Sequence, residues 1–402
     1  MTGLRVLVVH NTYRSEQPSG EDRVVHQEVE LLATAGHDVD MYLRHSDDIA
    51  AMSLAAKAMV PLRVPWNRQA RADLAAHLRA RRPDVVHIHC TFPLLSPSVV
   101  AACADVGVPA VATLHNYTQV CAPGTLYRDG RICTDCVGGS PLQAVRHGCY
   151  RASRPATLPL VVAQTANRDL WWSGIARFLC VSRSQRHILV QAGMPADRMT
   201  VHHNLVVDQD VHRATRPNHV LYLGRLTEEK GLRLLMAAWD QHVARAAARL
   251  PLVVAGSGPL QHEVAHWAEA RPEVQFLGLQ TRDQCKELLA GAAAVVAPSV
   301  WLEAFGLVVV EAMAAGVPVV AAAHGAFVEL VDHGVTGLLF RPGDVESLVD
   351  GLAQVQSGPA RNRSMGEAAR ARYERDFAPE VGVRRLVTEY RAAIDGSLCA
   401  PV

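Results

Sequence analysis

SVWLEAFGLVVVEAMAAG, residues 299–316, sets two carboxylates, Glu303 and Glu311, in an otherwise apolar run. It follows the strand-like AAVVAPS (293–299), and Gly316 and Pro318 stop it before a second apolar run, PVVAAA (318–323). That order reads as strand, loop over Val300–Gly306, helix from about Leu307 to Ala315, then strand. An unpaired charge among Phe305 and Leu307–Val310 would be costly. Glu303 is therefore expected at a strand end, beside amides of Ala304–Leu307 that point out of a helix N-terminus and suit an anion. Glu311 lies one turn deeper. Plainer readings stay open: Glu303 favouring the helix dipole, and Glu311 in a buried ion pair.

The same alternation runs through the chain. Apolar runs at 5–10, 38–43, 84–89, 109–115 and 177–182 read as strands of one parallel sheet. Those at 219–225, 250–256, 274–278, 293–299 and 318–323 read as strands of a second, closed by LLFRPGD (338–344). Helical patterns fall at 22–35, 67–81 and 157–173, with an irregular Cys- and Gly-rich stretch over 118–155. The expectation is α/β: two doubly wound, Rossmann-like parallel-sheet domains facing across a cleft. Residues 1–203 would bind acceptor and 204–378 a nucleotide-sugar, with a last helix over 379–402 packing back on the first domain.

Composition narrows the function. Of the 402 residues 49% are hydrophobic and 20% charged, and formal net charge is +1, so no global field argues for nucleic acid or an acidic surface. MTGLRVLVVHN reads as a first strand rather than a leader, and no long uncharged apolar run suggests a span. Singleton cysteines (Cys90, Cys103, Cys180, Cys285, Cys399) suit a reducing cytoplasm. Only Lys57, Lys230 and Lys286 are lysines, so a lysine within a motif stands out.

Ligands of open parallel sheets sit beyond the carboxyl ends of strands, and unusual residues collect there. Strand 219–224 runs into GRLTEEKG, where Arg225 offers a planar fork and Lys230 a point charge for a diphosphate. A solvated helix start is the plainer alternative. AGSGP (255–259) brings Gly256 and Gly258, either a backbone approach to ligand or a turn. In the first half His115 ends strand 109–115, and His87 and His89 alternate along DVVHIHC. Either of the latter can serve packing, while His89 is also a candidate on the acceptor side. The triplets Asp38-Val39-Asp40 and Asp208-Gln209-Asp210 fall in a strand and a linker, poor places for a catalytic metal.

Taken together, G-R-L-x-x-E-K-G, G-x-G-P and EAFGLVVVEAMAAGVPVV resemble retaining glycosyltransferase family 4, over nearly the whole chain. The resemblance implies a GT-B fold and a hexosyltransferase needing no catalytic metal. It implies that Arg225 and Lys230 bind the nucleotide diphosphate, Glu311 the ribose and Glu303 the donor sugar, and that amides of Ala304, Phe305, Gly306 and Leu307 contact sugar and phosphate. Leu277 joins Gly256 and Gly258 on the donor side. In the loop NTYRSEQPSGEDR, Gly20 matches the family glycine near the donor phosphate, although Ser19 replaces a frequent second glycine. His115 matches a histidine that bonds the donor sugar, while Glu21, His89, Asn116 and Tyr117 lie on the acceptor side. Front-face transfer with retention follows, the departing phosphate taking the acceptor proton.

CAPGTLYRDGRICTDCVGGSPLQAVRHGC (121–149) holds Cys121, Cys133, Cys136 and Cys149, resembling the Cys-containing HNY…RDGR.C.DC loop of a bacterial subset of the family. The four thiols could close a structural zinc site, form a disulfide or stay reduced. Following His115, the loop is expected to shape the acceptor pocket. The donor is expected to be a nucleotide-diphosphate hexose or N-acetylhexosamine, with UDP favoured. The acceptor is expected to be a saccharide, cyclitol or aminoglycoside-like hydroxyl compound. The lack of a basic amphipathic N-terminal helix favours a soluble acceptor, while Trp171 and Trp172, ending 157–173, leave peripheral membrane contact open. A sugar-nucleotide epimerase or hydrolase, or a silent binding protein, would share this fold. A Rossmann oxidoreductase would need G-x-G-x-x-G after strand 5–10, which NTYRSEQPSGE lacks.

Overall fold

A computed structural model describes residues 3–15, 19–245 and 250–397. The chain forms two compact units: Met1–Leu126 with Thr134–Leu205 and Glu380–Val402, and Tyr127–Cys133 with Val206–Pro379. Cys399 and residues 16–18 of the first loop lie outside the described residues.

The first unit carries β1 (Arg5–Thr12), β2 (Asp38–His45), β3 (Val85–Ile88) and β4 (Ala110–Leu114). After β4 comes a two-stranded hairpin, β5 (Tyr127–Arg128) and β6 (Arg131–Ile132), and then β7 (Arg177–Cys180) and β8 (Met199–Val201). The sheet order is β2-β1-β3-β4-β7-β8, every pairing parallel. Val6, Val8, Val85, Val111 and Leu179 are buried with Val383, Leu386, Tyr390 and Ala393 of the last helix, Pro379–Ser397. That helix belongs to this unit because its apolar stripe completes the sheet's core. The hairpin, placed by sequence with the N-terminal domain, groups with the second unit. There Tyr127 stands in the field of Glu228 and Glu229.

The second unit holds β9 (His219–Leu223), β10 (Leu252–Ala255), β11 (Val274–Gly278), β12 (Ala292–Ala297), β13 (Val319–Ala322) and β14 (Gly337–Phe340). Their order is β11-β10-β9-β12-β13-β14, again all parallel. Val220, Leu221, Val254, Val295, Val319 and Val320 are almost wholly buried, as a parallel sheet covered on both faces requires. In both units the order reverses direction next to the first strand, so the loops after β1, β3 and β4, and after β9, β10 and β12, gather at carboxyl ends.

One expected helix splits. The pattern over 157–173 becomes Arg154–Ala166 and Arg168–Gly174, parted at Asn167. The Asn167 side-chain amide donates to the carbonyls of Pro65 and Ala163 at 3.0 Å each, and its own φ of −113° ends the first helix.

Candidate active site

The second unit fixes its polar residues first by hydrogen-bonding two adjacent loops together. The Gly224 and Leu226 amides donate to the carbonyls of Ala255 and Ser257, and the Leu260 amide returns a bond to Leu226. Gly256 (φ 144°) and Gly258 (φ 155°) are needed for this, since a Cβ would strike the carbonyls of Gly224 at 1.8 Å and Leu226 at 2.6 Å. The glycines thus serve close loop-to-loop packing, a role that the sequence did not suggest. Leu277 sits on the edge strand β11, its carbonyl accepting from the Gln280 side chain at 2.7 Å.

Across these loops Lys230 Nζ donates to Glu303 Oε1 at 2.6 Å, and Ser299 Oγ donates to the same oxygen at 2.7 Å. Glu303 is 4% exposed. Burial opposes its ionisation, but Lys230 and the hydroxyl outweigh that and hold its carboxyl below the usual range. An ammonium has three donors; Glu303 takes one, and the Lys230 side chain keeps 22% of its surface exposed. Trp301 lies under that ammonium, 5.3 Å from ring centroid to nitrogen. The backbone is clamped as well: the Val300 amide donates to Glu229, and the Ala326 amide to Glu303.

Ala304 and Phe305 are buried, and Gly306 (φ 93°) turns the chain into the helix Leu307–Ala314, which has no side-chain N-cap bond. The Val309 amide turns back to the Gly306 carbonyl, so only the amides before it are available to an outside acceptor. Glu311, half-buried on that helix, borders a small hollow with Val207, Asp208, Gln209 and Leu289. Arg225 is more open: its side chain is 59% exposed and reaches Glu229 at 3.6 Å.

The first unit presents different chemistry at its strand ends. The Cys90 amide donates to His10 Nδ1, so His10 carries its proton on Nε2 and donates to Asp22 at 2.7 Å. Ser19 caps the helix Gly20–Thr34, its hydroxyl accepting from the Glu21 amide, which gives a physical use for the serine beside Gly20. Glu21 accepts from the Tyr13 hydroxyl at 3.1 Å; burial raises its carboxyl to about 7, with His10 and Tyr13 opposing. His115 Nε2 lies 2.9 Å from His89 Nδ1, the rings stacked at 17°. His89 Nε2 in turn faces Glu28 Oε1 at 3.4 Å, and His87 Nδ1 faces it at 2.8 Å. Burial pushes His89 down to about 3 and lowers His115, so both are neutral at ordinary pH. A lone pair turned toward the buried Glu28 carboxylate would be unfavourable. His89 therefore carries its proton on Nε2 and accepts from His115 Nε2–H, leaving His115 Nδ1 as an acceptor. Asn116 turns its side-chain oxygen to the Thr118 amide, while Tyr117 is fully buried and closes the loop on Gly124 rather than lining a surface.

Cys121, Cys133, Cys136 and Cys149 are all partly buried. Cys136 and Cys149 pack on a small cluster of Ala122, Ala144 and Val161, with Cys149 near Cys121. Cys133 groups with the second unit and Cys121, Cys136 and Cys149 with the first. Of the D-x-D triplets, Asp40 is held by His77 and Arg81, and Asp208 by Arg370.

Residues 207–372 match the family described as glycosyl transferases group 1, and residues 18–210 match glycosyltransferase family 4. Glycogen synthase of Mycobacterium tuberculosis is 27% identical over 424 aligned positions, covering 98% of this chain and 96% of the relative. The chain belongs to the GT-B glycosyltransferases. An uncharacterized glycosyltransferase of Methanocaldococcus jannaschii is 38% identical to this glycosyltransferase, over 34% of this chain and 35% of that protein. The fold is shared with Anabaena HepE crystallised with UDP-glucose: TM-score 0.68 at 18% identity, over 97% of this chain and all of the other.

Sequence reading of this glycosyltransferase missed Glu28, His10, Asp22 and Ser299. Glu28 sits mid-helix in VVHQEVELLA, where a glutamate reads as a solvent-facing residue. Its one visible signal was its place within the apolar stripe of Val24, Val25 and Leu32.

Proposed function

We propose that the chain is a retaining glycosyltransferase that moves a hexose or N-acetylhexosamine from a nucleotide diphosphate, UDP favoured, to a hydroxyl of a saccharide, cyclitol or aminoglycoside-like acceptor. The observation that carries this is the buried Lys230–Glu303–Ser299 set beside an uncapped helix N-terminus. Cleaving the anomeric bond puts positive charge on the sugar and negative charge on the departing diphosphate. Fixed donors, namely Lys230, Arg225 and the amides after Glu303, stabilise that anion and lower the barrier. Glu303, ionised and immobile, accepts from donor-sugar hydroxyls; Glu311 does the same for the ribose. His115, with Nδ1 as an acceptor, takes a hydroxyl proton of the sugar in a hydrogen bond. No carboxylate is assigned as an attacking nucleophile, so the departing phosphate takes the acceptor proton on the front face. Glu21 and Asn116, with the Cys-containing loop, form the acceptor side.

The full-length relationship to glycogen synthase and the UDP-glucose held by HepE support the donor class. Titration calorimetry against UDP, GDP and TDP tests it, with UDP expected to bind tightest. Binding of none of the three would overturn the reading, and turnover of a UDP-sugar without any acceptor would point instead to an epimerase or hydrolase.

A further inference from the structure

Helix Leu54–Arg63, LAAKAMVPLR, has no buried residue, although most of its side chains are apolar. Leu54 is 85% exposed, Leu62 67% and Met59 43%. The helix Arg154–Ala166 touches it and exposes Leu158 and Val162, four residues apart and so on one stripe. The Asn167 bond to Pro65 ties the two segments together. Among the described residues half of the ten exposed large hydrophobics fall on this helix pair. Neither helix contains an aspartate or glutamate, whereas Lys57, Arg63 and Arg154 lie on them and Arg68 opens the next helix. Trp66, partly exposed, lies just past the first helix.

An apolar ridge left in water needs a partner. Separately projecting leucines on two acid-free helices that carry cations match an anionic lipid surface, although Asp47 and Asp48 precede the first helix. We propose that this face of the first unit docks on anionic lipid headgroups, Leu54, Met59 and Leu62 entering the acyl boundary and Lys57 and Arg63 meeting phosphates. The placement is peripheral, since no described helix is long and apolar enough to cross a membrane. It does not depend on the donor or acceptor proposed above.

Sedimentation of the full chain with phosphatidylcholine vesicles, with and without phosphatidylglycerol, tests this directly. The protein is expected to pellet with the anionic vesicles and to be released by salt. Leu54→Asp with Leu62→Asp should lower partitioning by about tenfold or more. Lys57→Gln should lower it about fivefold at low salt. Leu54 and Leu62 face solvent and Lys57 is half-buried, so an unchanged thermal midpoint and unchanged UDP binding will show that the variants are folded. No pelleting with anionic vesicles, or pelleting indifferent to the leucine changes, would overturn the proposal. So would light scattering that finds a dimer which the double variant dissolves, since the face would then be a contact between copies.

Discussion

The two units share one topology and line their strand ends with opposite chemistry. After β9, β10 and β12 stand a lysine, an open arginine and an ionised glutamate held by direct contact. After β3 and β4 stand imidazoles made neutral by burial, with a carboxylate behind them. A cation beside a helix terminus suits a phosphate, whereas neutral ring nitrogens suit hydroxyls, being able to accept without bringing a charge. The difference teaches that the parallel-sheet scaffold fixes where a ligand sits, while a few loop residues decide which ligand.

The comparison can be broken at its strongest point. Lys230→Ala strips a buried carboxylate of its partner and should cost about 3–5 kcal/mol of stability together with nucleotide binding. Denaturant unfolding and calorimetry read the two losses. If Glu303→Gln restores stability to the Lys230→Ala chain but not nucleotide binding, the cation acts on ligand as well as on Glu303.

Glu28→Gln probes the other unit and should cost about 1–3 kcal/mol, because the facing histidines lose their acceptor. If Glu28 also sets the His115 tautomer, kcat should fall and its pH profile shift while UDP affinity holds. An unchanged profile would reduce Glu28 to a packing role.

Glu21 offers a finer test. Its carboxyl is raised from 4.5 to about 7 in the folded chain, so its contribution is fully present below pH 4.5 and is lost as pH rises through about 7. Glu21→Gln should therefore gain on the parent between those values, by at most about 3 kcal/mol, as thermal unfolding across the range will show.

The smallest structural effect belongs to Arg225→Ala. This exposed side chain should leave stability within about 0.5 kcal/mol, while weakening UDP binding measured by calorimetry. No weakening would remove Arg225 from the donor site. Native mass spectrometry of the full chain reads the cysteine loop: an added mass of one zinc ion would assign it as a structural metal site, and its absence would remove that role.

The sheets were legible because central strands buried on both faces must be apolar runs, and such runs, with the weaker edge strands β2 and β11, survive in sequence as β1 to β4, β7 and β9 to β14. The short β8 and the exposed helix Leu54–Arg63 carry no such periodic mark. Glu303 and Lys230 were readable as unusual residues at strand ends, but their 2.6 Å contact spans 73 positions and is set by how β9 and β12 pair. By itself, then, the sequence determined two rounds of alternating strand and helix and the residue types at their ends, since both depend on local pattern. Tertiary structure alone decided that Tyr390 reaches His87 across 303 residues, that Glu28 is buried against two histidines, and that Gly256 and Gly258 serve a neighbouring loop. Those are long-range contacts, and burial, which sets the charge state of every one of these groups, exists only once the chain has closed around them.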